Sequence, residues 1–118
     1  MQNRTISYLK SAIKYCCDII DIQSNYASYG DFLSNRSYQY SVSFCIEQIG
    51  ELTKKLRDEG YSEKYPDLPW KEISGLRNRI AHGYDAIDIE MVYDISVNDI
   101  PPLLVSFKDI LFKETGEE

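Results

Sequence analysis

Apolar residues recur along almost the whole chain at steps of three and four, a period that suits helices and little else. Ile6, Leu9, Ile13, Cys16, Cys17 and Ile20 form one such stripe, and Val42, Cys45, Ile49, Leu52 and Leu56 form a second that Gly60 closes. Residues 25–37, rich in Ser, Asn, Tyr and Gly, read as a connection with a short helical turn near 31–33. Residues 61–69 read as a second connection, because Pro66 and Pro69 exclude an ordinary helix there. A third helix is expected over 70–82, with Gly83 supplying the left-handed residue that ends it. Asp88 is placed to cap a fourth helix carrying Met91, Val92 and Ile95. Asp99 is placed to cap a fifth, with Pro101 and Pro102 in its first turn, where a missing N–H is harmless. Ile100, Leu103, Leu104, Phe107, Ile110 and Leu111 give that helix its apolar face, and 115–118 read as a frayed tail. There is no two-residue alternation, no internal repeat and no low-complexity tract. The expected fold is all-α: an antiparallel helical bundle of about five helices in which residues 1–118 make one domain. Five amphipathic stripes in so short a chain leave apolar surface over, and a homodimer is the natural outlet.

Composition narrows the setting. Hydrophobic residues make up 43% of the 118, an ordinary globular share. No apolar run reaches the roughly 20 residues of a membrane span, and Met1-Gln2-Asn3-Arg4 does not lead into a signal-peptide block, so a soluble cytoplasmic protein without membrane partners is expected. Three cysteines, no Cys-x-x-Cys and a single histidine argue against both a disulfide framework and a zinc site. No carboxylate cluster resembles a two-metal nuclease centre, so neither metal nor cofactor is expected. The net charge of −6 is unevenly spread. Residues 1–84 carry 11 basic and 10 acidic side chains, whereas 85–118 carry 2 and 9. Within 70–84, Lys71, Arg77 and Arg79 face only Glu72, so a locally basic segment sits in an acidic protein.

That segment, Arg77-Asn78-Arg79-Ile80-Ala81-His82-Gly83-Tyr84, is the one place where a general acid–base residue accompanies phosphate-binding cations. His82 is the sole histidine, the residue type suited to act as a general acid or base. Arg77 offers a planar fork of donors for phosphate oxygens as charge builds on them. On a helix running to 82, Asn78 and His82 share a face, so the amide can orient the imidazole or hold a phosphate. Arg77 then points about 140° away, at ~100° per residue, so either the long arginine bends round or, as preferred here, a two-fold axis brings Arg77 of one chain beside His82 of the other. RNA carries its own nucleophile, the 2′-OH beside the scissile phosphate. A base, a cation and an acid therefore suffice to cleave it to a 2′,3′-cyclic phosphate and a 5′-OH, and DNA, which lacks that hydroxyl, is spared. Spacing alone leaves the bland reading open: a His before Gly as a favourable C-terminal cation, Arg-Asn-Arg as a solvated face, and Tyr84 as a packing residue. A cysteine nucleophile paired with His82 is a further alternative.

Arg77-x4-His82-x-Tyr84, with polar Asn78 directly after the arginine, resembles the Arg-x4–6-His signature of the HEPN superfamily, and the added tyrosine resembles its HepT toxin family. Trp70-Lys71-Glu72-Ile73-Ser74-Gly75-Leu76, Glu47-Gln48-Ile49-Gly50-Glu51 and Asp99-Ile100-Pro101-Pro102-Leu103 are similar too, so the resemblance covers nearly the whole chain. It implies a homodimeric HEPN-like bundle acting as a metal-independent endoribonuclease, with Arg77 and His82 as the catalytic pair, Asn78 and Arg79 in support, and RNA as substrate. It also implies a cognate MntA-like nucleotidyltransferase antitoxin that silences the toxin by transferring AMP to Tyr84. The alternative is a non-catalytic HEPN subunit that binds nucleotide or regulates a partner nucleotidyltransferase. A plain helical interaction protein is a third reading.

Overall fold

The computed structural model describes residues 3–25, 28–81 and 86–116. They form helices α1 (Asn3–Gln23), α2 (Tyr29–Leu33), α3 (Arg36–Asp58), α4 (Tyr61–Lys64), α5 (Trp70–Ser74), α6 (Leu76–Ile80), α7 (Ile89–Asp94) and α8 (Ile100–Thr115), with a π-helical turn, Ile95–Asp99, joining the last two. The chain is an all-α bundle with no strand among the described residues, and no helix is long and apolar enough to cross a membrane.

Helix α3 is the axis of the bundle. All five residues of its expected stripe are buried, and Ile46, Gly50 and Thr53 are buried with them. Burial extends this far round because α1, α5, α6 and α7 all pack on α3. Asn35 starts the helix by accepting from the Tyr38 amide at 3.1 Å. Gly60, at φ 95°, ends it in the left-handed region that favours glycine. On α1 the fully covered line is Leu9, Ala12, Cys16 and Ile19, one step round from the expected stripe, whose Ile6, Ile13 and Ile20 are half-buried. The shift follows from packing: α1 lies against α8 as well as α3, so its apolar arc has two neighbours.

The connection 61–69 is more ordered than its prolines suggest. One helical turn, α4, precedes Pro66, and Tyr61 packs edge-on against Tyr65 and Trp70. Glu114, whose side chain is 3% exposed, receives Lys64 and the Tyr65 hydroxyl there. Burial alone would push its carboxyl up, but these partners outweigh burial and hold it below the usual glutamate value.

Asp88 caps α7 as expected, its Oδ1 accepting from the Met91 amide at 3.0 Å. The expected cap at Asp99 is not there. Asp99 has helical backbone angles and makes no capping bond, because α7 runs on into α8 through the π turn. The Ile100 amide donates to the Ile95 carbonyl, five residues back. In this register the next two donors would be Pro101 and Pro102, which have no N–H. The Ser96 carbonyl, left without a backbone donor, accepts from the Gln23 side chain of α1.

Candidate functional site

The motif segment is built from short pieces. The single helix expected over 70–82 is broken at Gly75, whose amide donates back to the Lys71 and Glu72 carbonyls at 3.1 and 3.2 Å. Helix α6 restarts at Leu76, and the Asn78 and Arg79 amides return to the Gly75 carbonyl. The break lies on α3 at Gly50. A Cβ there would come within 3.3 Å of the Ile73 carbonyl oxygen and 3.8 Å of Leu76 Cβ. A side chain there would push the α5–α6 junction out by a few tenths of an ångström, so Gly50 lets the motif lie this close to the core.

Helix α6 ends at Ile80. Ala81 is extended, at φ −91° and ψ 124°, and forms an antiparallel bridge with Ile87. The Asp88 amide donates to the Ile80 carbonyl at 2.6 Å. These bonds join the end of α6 to the start of α7 on either side of the chain that carries the histidine and tyrosine. His82, Gly83, Tyr84 and Asp85 lie outside the described residues.

Two expectations are corrected here. The α-helix stops at Ile80 and Ala81 is extended, so the helix over 70–82 that the Asn78–His82 pairing assumed is not formed, while His82 itself lies outside the described residues. The 140° angle between Arg77 and His82 assumed the same helix, and the geometric case for a cleft shared across a two-fold axis goes with it. The helix ends early because Ala81 takes up the bridge to Ile87, which needs extended backbone.

Arg77, Asn78 and Arg79 are all exposed. Arg77 has no ion pair among the described residues. Arg79 is engaged: its Nη1 lies 3.4 Å from Asp99 Oδ2 and its Nη2 meets Met91 Sδ at 3.5 Å. Two residues apart on a helix, the two arginines point about 160° from each other, at ~100° per residue. One therefore holds α6 to the π turn and α7, and the other is left for solvent or a ligand. Sequence reading treated Asp99 only as a cap and missed this contact; a helix-initiating Asp followed by two prolines gives no sign of a partner 20 residues upstream. It also quoted Gly50 without finding its role, which needs the backbone of α5 in view.

One concavity includes Arg79 in its lining, and a second includes Met91. The first, of about 340 Å³, is lined by Ile73, Leu76, Leu103 and Pro102 with Arg79 and Asp99 at its edge. The other, of about 650 Å³, is bounded by Tyr29, Tyr93, Asp88, Glu90 and Asp94. Its carboxylates repel phosphate, so a polyanion would meet the protein at Arg77 rather than there. The cysteine alternative loses support at Cys16 and Cys45. Burial pushes the Cys16 thiol up to about 12 and the Cys45 thiol up to about 11, so neither supplies thiolate near neutrality. Among the described residues no three His, Cys, Asp or Glu side chains are grouped as metal ligands.

Comparison with known proteins shows the family. The family model described as "Ribonuclease HepT-like" matches residues 12–110. "Putative RNase MJ1216" of Methanocaldococcus jannaschii is 32% identical over 112 residues, covering 95% of this chain and 91% of that protein. "Putative RNase TTE0752" of Caldanaerobacter subterraneus is 31% identical over 107 residues, 91% of this chain and 94% of that protein. "Probable ribonuclease HepT" of Thermococcus cleftensis is 29% identical over 80 residues, 68% of this chain and 72% of that protein. No solved structure matches the chain. Matched by this family model over most of its length, this all-α chain belongs to the ribonuclease HepT-like family.

Proposed function

We propose that this protein is a metal-independent endoribonuclease, the toxin of a toxin–antitoxin pair, and that Arg77 and His82 carry the reaction. The observation that supports this most directly is the contrast between the arginines: Arg79 is held by Asp99 and Met91, while Arg77 stands exposed and unpaired among the described residues, five positions before the single histidine. Arg77 would neutralise the charge that develops on the phosphate as the 2′-OH attacks. His82 would take the hydroxyl proton or return one to the departing 5′ oxygen. The two proton transfers of a cleavage can be made by one histidine acting as base and then as acid, by one histidine and water, or by two histidines from two chains. A homodimer supplies the last arrangement, and the family favours it. Asn78, exposed on α6, would contact the substrate rather than orient His82.

Regulation follows from Tyr84. We read it as the acceptor of AMP from an MntA-like nucleotidyltransferase. An anionic adduct two residues after His82 would compete with RNA for the same cations. The acidic stretch after residue 85 offers that partner a surface of opposite charge to the motif. The second reading, a non-catalytic subunit that binds nucleotide at the same patch, uses the same exposed arginine and predicts binding without cleavage.

The deciding experiment incubates purified protein with single-stranded RNA in EDTA, wild type beside Arg77→Ala and His82→Ala. Each substitution should lower cleavage by about 10²–10³-fold with unchanged folding, since each removes a group used only in the transition state. Cleavage that survives both would reject the site. Binding without cleavage by wild type would favour the second reading. For regulation, intact mass after incubation with the partner and ATP should rise in steps of one AMP, and Tyr84→Phe should abolish the rise.

A further inference from the structure

The contact between Asp99 and Arg79 joins three elements that local interactions alone would not hold. Helix α6 is five residues long, too short to be stable by itself. Its Arg79 reaches Asp99 in the π turn and Met91 in α7. Met91 also donates its amide to the Asp88 cap, and the Asp88 amide bonds back to Ile80 at the end of α6. The contacts thus close a ring: α6, π turn, α7, and the Ile80–Asp88 link. The widened turn is what moves Asp99 away from the place an unbroken α-helix would give it, and Pro101 and Pro102 keep the turn from tightening.

We propose that Asp99 is a positioning residue: by binding Arg79 it holds α6 in the orientation that presents Arg77, which has no ion pair among the described residues. The proposal rests on the assignment of Arg77 and His82 to catalysis. Released from Asp99, Arg79 would compete for the same phosphate from the wrong side of the helix, and α6 would lose its tie to the π turn. Both partners are substantially exposed, 40% and 45%, so the pair contributes little to global stability. Its effect belongs in the turnover number and in local opening, not in the melting temperature.

The test compares wild type, Asp99→Asn, and the exchanged pair Arg79→Asp with Asp99→Arg, using labelled single-stranded RNA containing all four bases. Asp99→Asn should lower kcat by about tenfold while KM stays within about twofold, and the exchanged pair should regain most of the loss. An unchanged kcat overturns the proposal, and so does a lowered kcat that the exchange leaves uncorrected. Amide hydrogen exchange supplies a measure independent of cleavage. In Asp99→Asn the Ala81 and Asp88 amides should exchange faster, with α1 and α3 unaltered; equal rates at both positions overturn the proposal. Should Arg77→Ala leave cleavage intact, it is the catalytic assignment that fails, and the exchange rates still decide whether Asp99 holds α6.

Discussion

The helices of the core and the helices of the motif are stabilised in different ways. Helices α1, α3 and α8 run for 21, 23 and 16 residues, and each buries a continuous apolar face. Helices α5 and α6 run for five residues apiece and are anchored by Trp70, Ile73, Leu76 and Ile80. What holds them is specific and local: a glycine contact, one backbone bridge, and one side-chain pair. A large apolar face tolerates small errors because its free energy is spread over many contacts. An arrangement held by a few directional contacts does not, but it can place a cation with a precision that loose packing cannot. The comparison teaches that stability and activity should respond to different residues.

The largest effect on stability is expected from the core. Ile46→Ala removes a fully covered side chain from the central helix and should cost about 2–5 kcal/mol in chemical denaturation. Cleavage per folded molecule should nevertheless stay near wild type at low temperature. A parallel collapse of activity while the protein remains folded would erase the distinction between the two regions.

Glu114→Gln should come next, at about 1.5–3 kcal/mol, because it weakens a buried carboxylate's bonds to Lys64 and Tyr65. The sign with pH follows from the lowered carboxyl value in the folded chain. The unfolded chain binds the proton first as pH falls, so the charged form stabilises the fold above the ordinary glutamate range. That contribution shrinks below about pH 4.3 and is lost as pH falls through the folded value. The stability gap between wild type and Glu114→Gln should therefore narrow on acidification in urea melts at a series of pH values. A gap that stays constant would assign the network's contribution to packing.

Gly50→Ala should give the smallest change in stability and yet reach the site. Alanine gains about 1 kcal/mol of helix propensity over glycine. The 3.3 Å approach to the Ile73 carbonyl costs a similar amount or somewhat more, about 1–3 kcal/mol. The net shift in stability should be within about 2 kcal/mol, while the α5–α6 junction is pushed outward and cleavage falls several-fold. A stability loss well beyond that, with activity intact, would make Gly50 a core residue in the ordinary sense.

Legibility in the sequence followed the same division. The stripe from Val42 to Leu56, the Asp88 cap and the closing role of Gly60 were all readable, because each is local and is repeated or reinforced along the chain. The helix over 70–82 was misread, because Gly75 and Ala81 break a helical pattern only when α3 and Ile87 are present to take up the freed backbone. Asp99 was misread because a cap and a partner for a distant arginine have the same residue type. The motif itself was legible as a set of residue types, and its likeness to one family is matched by the family model over 12–110.

By itself the amino-acid sequence determined the helical class, the long core helices and the identity of the candidate chemical groups, since apolar period, caps and residue chemistry are properties of short stretches. Tertiary structure decided where α6 ends, which of two neighbouring arginines is occupied, and how two prolines are absorbed into a π turn. Those outcomes depend on contacts between residues far apart in the chain, Gly50 with Ile73, Arg79 with Asp99 and Gln23 with Ser96, and no local pattern encodes them.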